Sequence, residues 1–344
     1  MVTNCLTPPI KPYATPYGNI YIAISMALFL LILLQACNPP NTTTLPSSTG
    51  KQGEIIVSLE NRFKNSTMES AIGSVLGEEH PALPQPEALF SYSIVPRSAF
   101  SGLLKVHQCI MIVELGSNNK NAVSIQKNVW AKPQIVVRVT GKSDETIRNA
   151  LINNRGKIQQ AFLSFEFNLN IKKHRSIADK NLQKSIRKKF NISLDIPKGF
   201  LMANSDTNFI WMREETPETS LGLLLHTYNY SGSDSLTANS VLEMRNHITK
   251  KFVPGPSDGS HMSTMMEFPV VGKDIFILGR PALELRGLWN VEGDFMGGPF
   301  VSYAILDTNS NQILYLEGFA YAPKYNKRNY VKRLEAILLS LSYD

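Results

Sequence analysis

Three places in this chain combine side chains whose types and spacing could do chemistry. The first is Leu34-Gln35-Ala36-Cys37, an apolar run closed by a small residue and then a thiol. That order marks a bacterial protein for attachment of a lipid through a thioether at Cys37. The second is Gly255-Pro256-Ser257-Asp258-Gly259, which fits the G-x-S-x-G elbow that thrusts a nucleophilic Ser out on a strained turn. The elbow needs a strand before the Ser and a helix after it. Here a helical pattern precedes and a loop follows, and no His lies beyond His261, so the match is one of loop composition. The third is the stretch 286–300, with four glycines and a proline. Arg286, Trp289, Glu292 and Asp294 could converge there as a polar and aromatic binding surface, with Trp130 and Trp211 as further contributors. The simpler alternative makes the glycines turn-formers and Trp289 a core residue.

Other chemistry is thinly represented. The six His residues form no H-E-x-x-H pattern and pair with no cysteine cluster, so neither a metal nor a cofactor is expected. His107 and Cys109 alternate onto one face of a strand, but two ligands are too few. With Cys5 removed alongside a signal segment and Cys37 acylated, Cys109 is left without a disulfide partner. It sits in the apolar run Cys109-Ile110-Met111-Ile112-Val113, where a lone Cys is a buried small hydrophobe. Glu292 and Asp294, two apart in a loop, have no fixed separation with which to act as an acid and base pair.

The elements around Cys37 set an address. The apolar run 20–34 is short for a membrane span and suits the core of a signal peptide. Only Lys11 is basic ahead of it. A start at Met26 would shorten the core and remove that charge, so the longer form is kept. After Cys37, residues 38–53 are rich in Asn, Pro, Thr and Ser and predict a flexible tether. At about 0.8 kcal/mol per buried methylene, two or three acyl chains hold such a protein durably without a spanning helix. No acidic residue follows Cys37 closely. By resemblance to lipoprotein sorting rules, that favours the periplasmic face of the outer membrane.

The formal charge of +7 is concentrated. Residues 171–189 carry eight Lys or Arg against Asp179 alone, and Leu182, Ile186 and Phe190 recur at helical spacing among them. The bland account is a solvated helix face. The sharper one is a patch facing anionic lipid head groups. Nucleic acid is not expected as a partner, because the compartment is wrong and no aromatics interleave the charges.

Strand-like runs at 54–59, 88–95, 106–115 and 134–140 precede helical patterns from Ser143 to about 190. Ser66-x-x-Glu69 opens a shorter helix between the first two strands. Strands resume at 192–196, 208–213 and 221–230. A helix follows, capped by Ser240-x-x-Glu243. After it come runs at 275–278, 281–288, 300–306 and 312–321, and a closing helix striped by Tyr330, Leu334, Ile337 and Leu341. The alternation is not strictly βαβ and hairpins are common. The predicted class is α+β, antiparallel sheets with helices packed on one side, in two lobes. The division is 1–36 signal peptide, 37–53 tether, 54–190 N-terminal lobe and 191–344 C-terminal lobe.

Several longer motifs resemble an uncharacterised family of bacterial envelope lipoproteins, the family of domain of unknown function 4837. They are Leu83-Pro84-Gln85-Pro86-Glu87, Val129-Trp130-Ala131-Lys132-Pro133-Gln134, Phe209-Ile210-Trp211, Pro254–Gly259, 286–300 and Glu317-Gly318-Phe319-Ala320-Tyr321-Ala322-Pro323. The likeness runs from about Gly50 to the end. Lys327-Arg328-Asn329-Tyr330 also fits, which adds Arg328 as a candidate surface residue for binding. The resemblance implies a lipid-anchored protein and supplies no catalytic residue. Two functions follow: an envelope binding or assembly module with a protein, lipid or glycan partner, or an envelope hydrolase or transferase acting on a cell-wall or lipid substrate.

Overall fold

Strands buried on both faces need unbroken apolar runs, and this chain has several. The computed structural model describes residues 44–63, 66–116 and 122–343. Cys37, the expected signal segment and most of the expected tether lie outside the described residues. From Pro46 onward the described chain belongs to one compact unit.

The first sheet is built from β1 (Glu54–Leu59), β2 (Ser91–Pro96), β3 (Cys109–Leu115), β4 (Val123–Lys127) and β5 (Ile135–Gly141), in the order β2-β1-β3-β5-β4. Helix α1 (Thr67–Leu76) connects β1 to β2. Helices α2 (Asp144–Asn153) and α3 (Arg155–Ser176) follow β5. Ile55, Val57, Cys109, Met111 and Val113 pack beneath Ile72 of α1, Leu151 of α2, and Ile158 and Phe162 of α3. The opposite face presents Ile56, Ile110, Ile112 and Val136, covered by Phe100, Leu104 and Trp130 from the loops. β1, β2, β3 and β5 run parallel, and only β4 is antiparallel to its neighbour. This differs from the antiparallel sheet expected. The cause is visible in β3 and β5: their runs are apolar on both phases because loops close the second face.

Helix α4 (Lys180–Phe190) begins at Asp179, whose carboxylate accepts from the Asn181 and Leu182 amides. It sends Ile186 into the core of the second half. That half comprises β6 (Ile192–Ser193), β7 (Leu201–Asp206), β8 (Phe209–Glu215), β9 (Ser220–Asn229), α5 (Ala238–Phe252), β10 (His261–Thr264), β11 (Val271–Ile277), β12 (Arg280–Glu292), β13 (Gly297–Asp307), β14 (Gln312–Tyr321), α6 (Arg328–Leu338) and β15 (Ser342–Tyr343). Its eight-stranded antiparallel sheet has the order β10-β12-β13-β14-β9-β8-β7, with β11 also paired to β12. The hairpin expected at 307–311 joins β13 to β14. The class is α+β as expected, yet helices cover both faces of this sheet. Leu334 and Ile337 of α6 pack with Leu223, Val301, Tyr303 and Leu316; Val241, Ile248 and Phe252 of α5 pack on the other side with Leu285, Trp289, Phe300 and Tyr315. Gly318 lets α6 approach β14 closely, since a Cβ there would meet the Leu334 Cβ at 2.7 Å. α5 starts one turn earlier than the Ser240 signal suggests. Thr237 is extended and its hydroxyl accepts from the Ser240 amide, which makes Thr237 the cap.

The two halves are stitched at the start of α6. The Glu87 carboxylate accepts from the Lys327 amide at 2.6 Å and the Arg328 amide at 3.0 Å. Lys332 donates to Leu89 O at 3.0 Å and to Glu166 of α3 at 3.1 Å. Glu166 also accepts from the Gly53 amide. Among the described residues, no helix is long and apolar enough to cross a membrane.

Candidate functional site

Strand β12 decides where the candidate residues go. Successive side chains on a strand point to opposite faces, so residues an odd number apart are parted by the sheet. Arg286 and Glu284 face α6, while Leu285, Trp289 and Val291 face α5. Arg286 and Trp289 therefore do not converge, which corrects the expectation for 286–300. Asp294 lies beyond the strand in the turn to β13. There it is partly exposed, accepts from Ser257 Oγ at 2.7 Å and from the Phe295 amide, and is held below the usual carboxylate range chiefly by the Ser257 bond. Arg328 is no surface residue. It is 9% exposed, and its guanidinium donates to Ala88 O at 2.6 Å and Ser91 Oγ at 3.3 Å, because it opens α6 at the seam between the halves.

Arg286 belongs to a cavity of about 470 Å³ bounded by α3, β11, β12 and α6. It donates to Glu284 at 2.7 Å and Glu335 at 2.5 Å, and Tyr303 OH donates to Glu335 at 3.1 Å. Burial disfavours the Arg286 cation, but Glu335 and its neighbours outweigh that and raise its pKa. His80 lines the same cavity. Burial first, and the Arg286 charge second, bring its pKa down to about 3, so it is neutral. The buried charges here satisfy one another across Arg286–Glu335 and Lys332–Glu166, while Lys273 on the lining is exposed.

Trp289 belongs to a different cavity, of about 590 Å³, at the end of the α5 face. It is 2% exposed and sits edge-on to Phe319 with ring centres 5.4 Å apart. Trp211 of β8 lines the same space, with Tyr321, Met202, Met262 and Met296. Both indole Nε1–H groups are buried without a hydrogen-bond partner among the described residues. The wall is the loop 253–256, and Gly255 is required there. A Cβ would meet Ser260 Oγ at 2.3 Å and Val291 Cγ1 at 2.5 Å. The G-x-S-x-G segment thus shapes this wall. Its Ser257 hydroxyl donates to a carboxylate rather than to an imidazole, while His261 Nε2 lies 3.3 Å from Glu292. Trp130 stands apart in the first half, edge-on to Phe100 at 5.8 Å.

Beneath α5 lies a charge pair that pattern reading passed over. Arg245 and Glu317 are both 0% exposed and joined by two bonds, Nε to Oε2 at 2.8 Å and Nη2 to Oε1 at 2.7 Å. Arg245 also donates to Thr264 Oγ1 at 3.0 Å and stacks over Phe300 at 4.2 Å; Tyr315 OH donates to Glu317. Burial opposes the Arg245 cation, yet Glu317 beside it holds its pKa above the ordinary value. A signal existed: Arg245 falls on the buried stripe of Val241, Ile248 and Phe252, and Glu317 is in phase with Tyr315 and Phe319.

Cys109 is fully buried and its thiol pKa is pushed up by that burial, as a small hydrophobe's would be. No group of three or more potential ligands that could hold a metal occurs among the described residues.

Residues 179–340 match the family model of DUF4837, and residues 48–175 match that of DUF8532, both domains of unknown function. The likeness read from the sequence as one family running from about Gly50 is therefore split between two. No curated protein matches the chain. Among solved structures, LpqN of Mycobacterium tuberculosis, described as involved in cell envelope biogenesis, is 13% identical. The match covers 44% of this chain and 82% of LpqN, with a TM-score of 0.27, too low to carry an argument. Through residues 179–340, just under half of its length, the chain is similar to the family of domain of unknown function 4837.

Proposed function

We propose that this chain is a binding module of the bacterial envelope rather than an enzyme, and that the cavity between Trp211 and Trp289 takes an apolar ligand bearing a carbonyl or ester oxygen. The observation that carries this is the pair of unpartnered indole N–H groups. An indole N–H only donates, so whatever satisfies it brings a lone pair. The rest of the lining includes two further aromatic rings, three methionines and several aliphatic residues, with Arg213 and Glu215 exposed beside them, which suits an acyl body of variable shape with a polar end. The volume lies within the range of sites that bury small molecules. Lipid attachment at Cys37, at the periplasmic face of the outer membrane, supplies the address. It rests on the apolar run, Ala36 and the Asn- and Pro-rich residues that follow.

The test is titration of the full chain with a fluorescent fatty acyl ester, comparing Trp211→Phe and Trp289→Phe. Each substitution keeps a ring and deletes one donor. A lost hydrogen bond of about 1 kcal/mol weakens binding roughly fivefold. Trp211→Phe is the cleaner variant, because Trp289 is a core residue. Absence of binding by the unsubstituted protein, or variants that both bind as tightly as it does, overturns the assignment.

A further inference from the structure

A second concavity, of about 610 Å³, lies in the first half beside residues 46–48. Its floor is apolar, with Ala161, Phe165 and Leu169 of α3 and Ile125 of β4. The stripe Ile158, Phe162, Phe165 and Leu169 explains this. Ile158 and Phe162 end in the core, whereas Phe165 and Leu169 remain half-buried in the groove. Around that floor stand Lys127, Lys132, Lys157 and Lys172, all exposed, and the lining contains no acidic residue. None of the four ammonium groups is paired with a carboxylate among the described residues. Lys157 donates only to Val123 O, at 3.3 Å.

The groove also has a defined relation to the first described residues. Ser47 bridges to Lys132, and the Lys132 amide donates to Pro46 O at 2.9 Å. Nine residues separate Cys37 from Ser47. Chain of that length reaches at most about 35 Å. A lipid at Cys37 therefore confines this edge of the molecule to the neighbourhood of a bilayer, where four unneutralised lysines meet whatever charge the surface carries. Near an anionic surface each such side chain strengthens association roughly fivefold, within a Debye length of about 8 Å.

We infer that this groove docks the folded part onto an anionic bilayer, with lipid phosphates seated among Lys127, Lys132, Lys157 and Lys172 and with Phe165 and Leu169 against the interface. The inference rests on Cys37 as the lipid attachment site. It is separate from the tryptophan-lined cavity, which lies in the other half of the fold.

The test is lysine acylation footprinting of the full chain on two kinds of vesicle, phosphatidylcholine alone and phosphatidylcholine with a third replaced by phosphatidylglycerol. The four lysines should react at least fivefold more slowly on the anionic vesicles, with Lys250 as the internal reference. High salt should erase the difference. In the K132E/K172E variant, Lys127 and Lys157 should react at the same rate on both vesicles. Equal rates for the unsubstituted protein on both surfaces refute the docking, as does protection that survives the double charge reversal. Protection by inorganic phosphate in detergent, with no more on anionic vesicles, assigns the groove to a soluble anion and also refutes it. Failure of the anchor reads differently: Cys37 unmodified by mass spectrometry and the protein absent from neutral vesicles. In that case the anionic-vesicle rates still decide the groove.

Discussion

Replacing Arg245 by Met should be among the most damaging single changes to this fold. Both members of the Arg245–Glu317 pair are fully buried, and the guanidinium supplies two of the three donors to the Glu317 carboxylate; Tyr315 OH supplies the third. Removing the cation leaves a charge that has been taken out of water with one donor to hold it. Breaking a buried pair in this way costs about 3–5 kcal/mol. Glu317→Leu should cost a similar amount, because it strands the guanidinium between Thr264 and Met262. The double variant R245M/E317L replaces the pair by apolar groups of similar bulk, and it should lie within about 1–2 kcal/mol of the unsubstituted protein. The two single losses therefore should not add, and the coupling should be about 3 kcal/mol or more. Urea unfolding of the full chain, followed by circular dichroism, measures all four proteins. Single variants that lose under about 1 kcal/mol, or a double variant that loses the sum, would show the reasoning wrong.

Further outcomes follow from buried titratable groups and the seam. Burial, with the Arg286 charge next, holds His80 at about 3; burial, with the Arg333 charge next, holds His174 at about 4. The unfolded chain takes up a proton at each near pH 6.5 that the native state refuses. Stability should therefore fall as pH drops from about 6.5 toward 4, by about 1.4 kcal/mol per pH unit for each residue. His80→Asn should flatten that slope by about one proton, which denaturant melts across pH 4.5–7 would read. Glu87→Ala deprives the first amides of α6 of their carboxylate and should cost about 1–2 kcal/mol, with Glu87→Gln intermediate, in the same melts. Cys37→Ser should abolish incorporation of a clickable palmitate analogue in growing cells; retained label would place the lipid elsewhere.

The elements were legible where one period dominated. The striped closing helix, the hairpin at 307–311 and the buried Cys109 could all be read from spacing alone. Parallel pairing in the first sheet could not, because a run such as Cys109–Leu115 reports that both phases are apolar and does not report a direction. The candidate surface at 286–300 failed for a different reason. Its glycines drew attention to the segment, while the pleat of β12 had already sent Arg286 and Trp289 to opposite faces. Arg328 was misplaced because a family pattern carries no information on burial, and only the tertiary structure supplies Ala88 O and Ser91 for it. Trp211 found its place in the aromatic cavity through a register between β8 and β9 that no local pattern encodes.

The carboxylate of Glu87 sits in one family's stretch and completes a helix in the other's. A gene that kept 179–340 and lost 48–175 would inherit a helix with its first amides bare and a lysine, at 332, stripped of its counter-ion. Water would solvate both groups once the seam is open, so what such a truncation loses is the fixed seating of one stretch against the other.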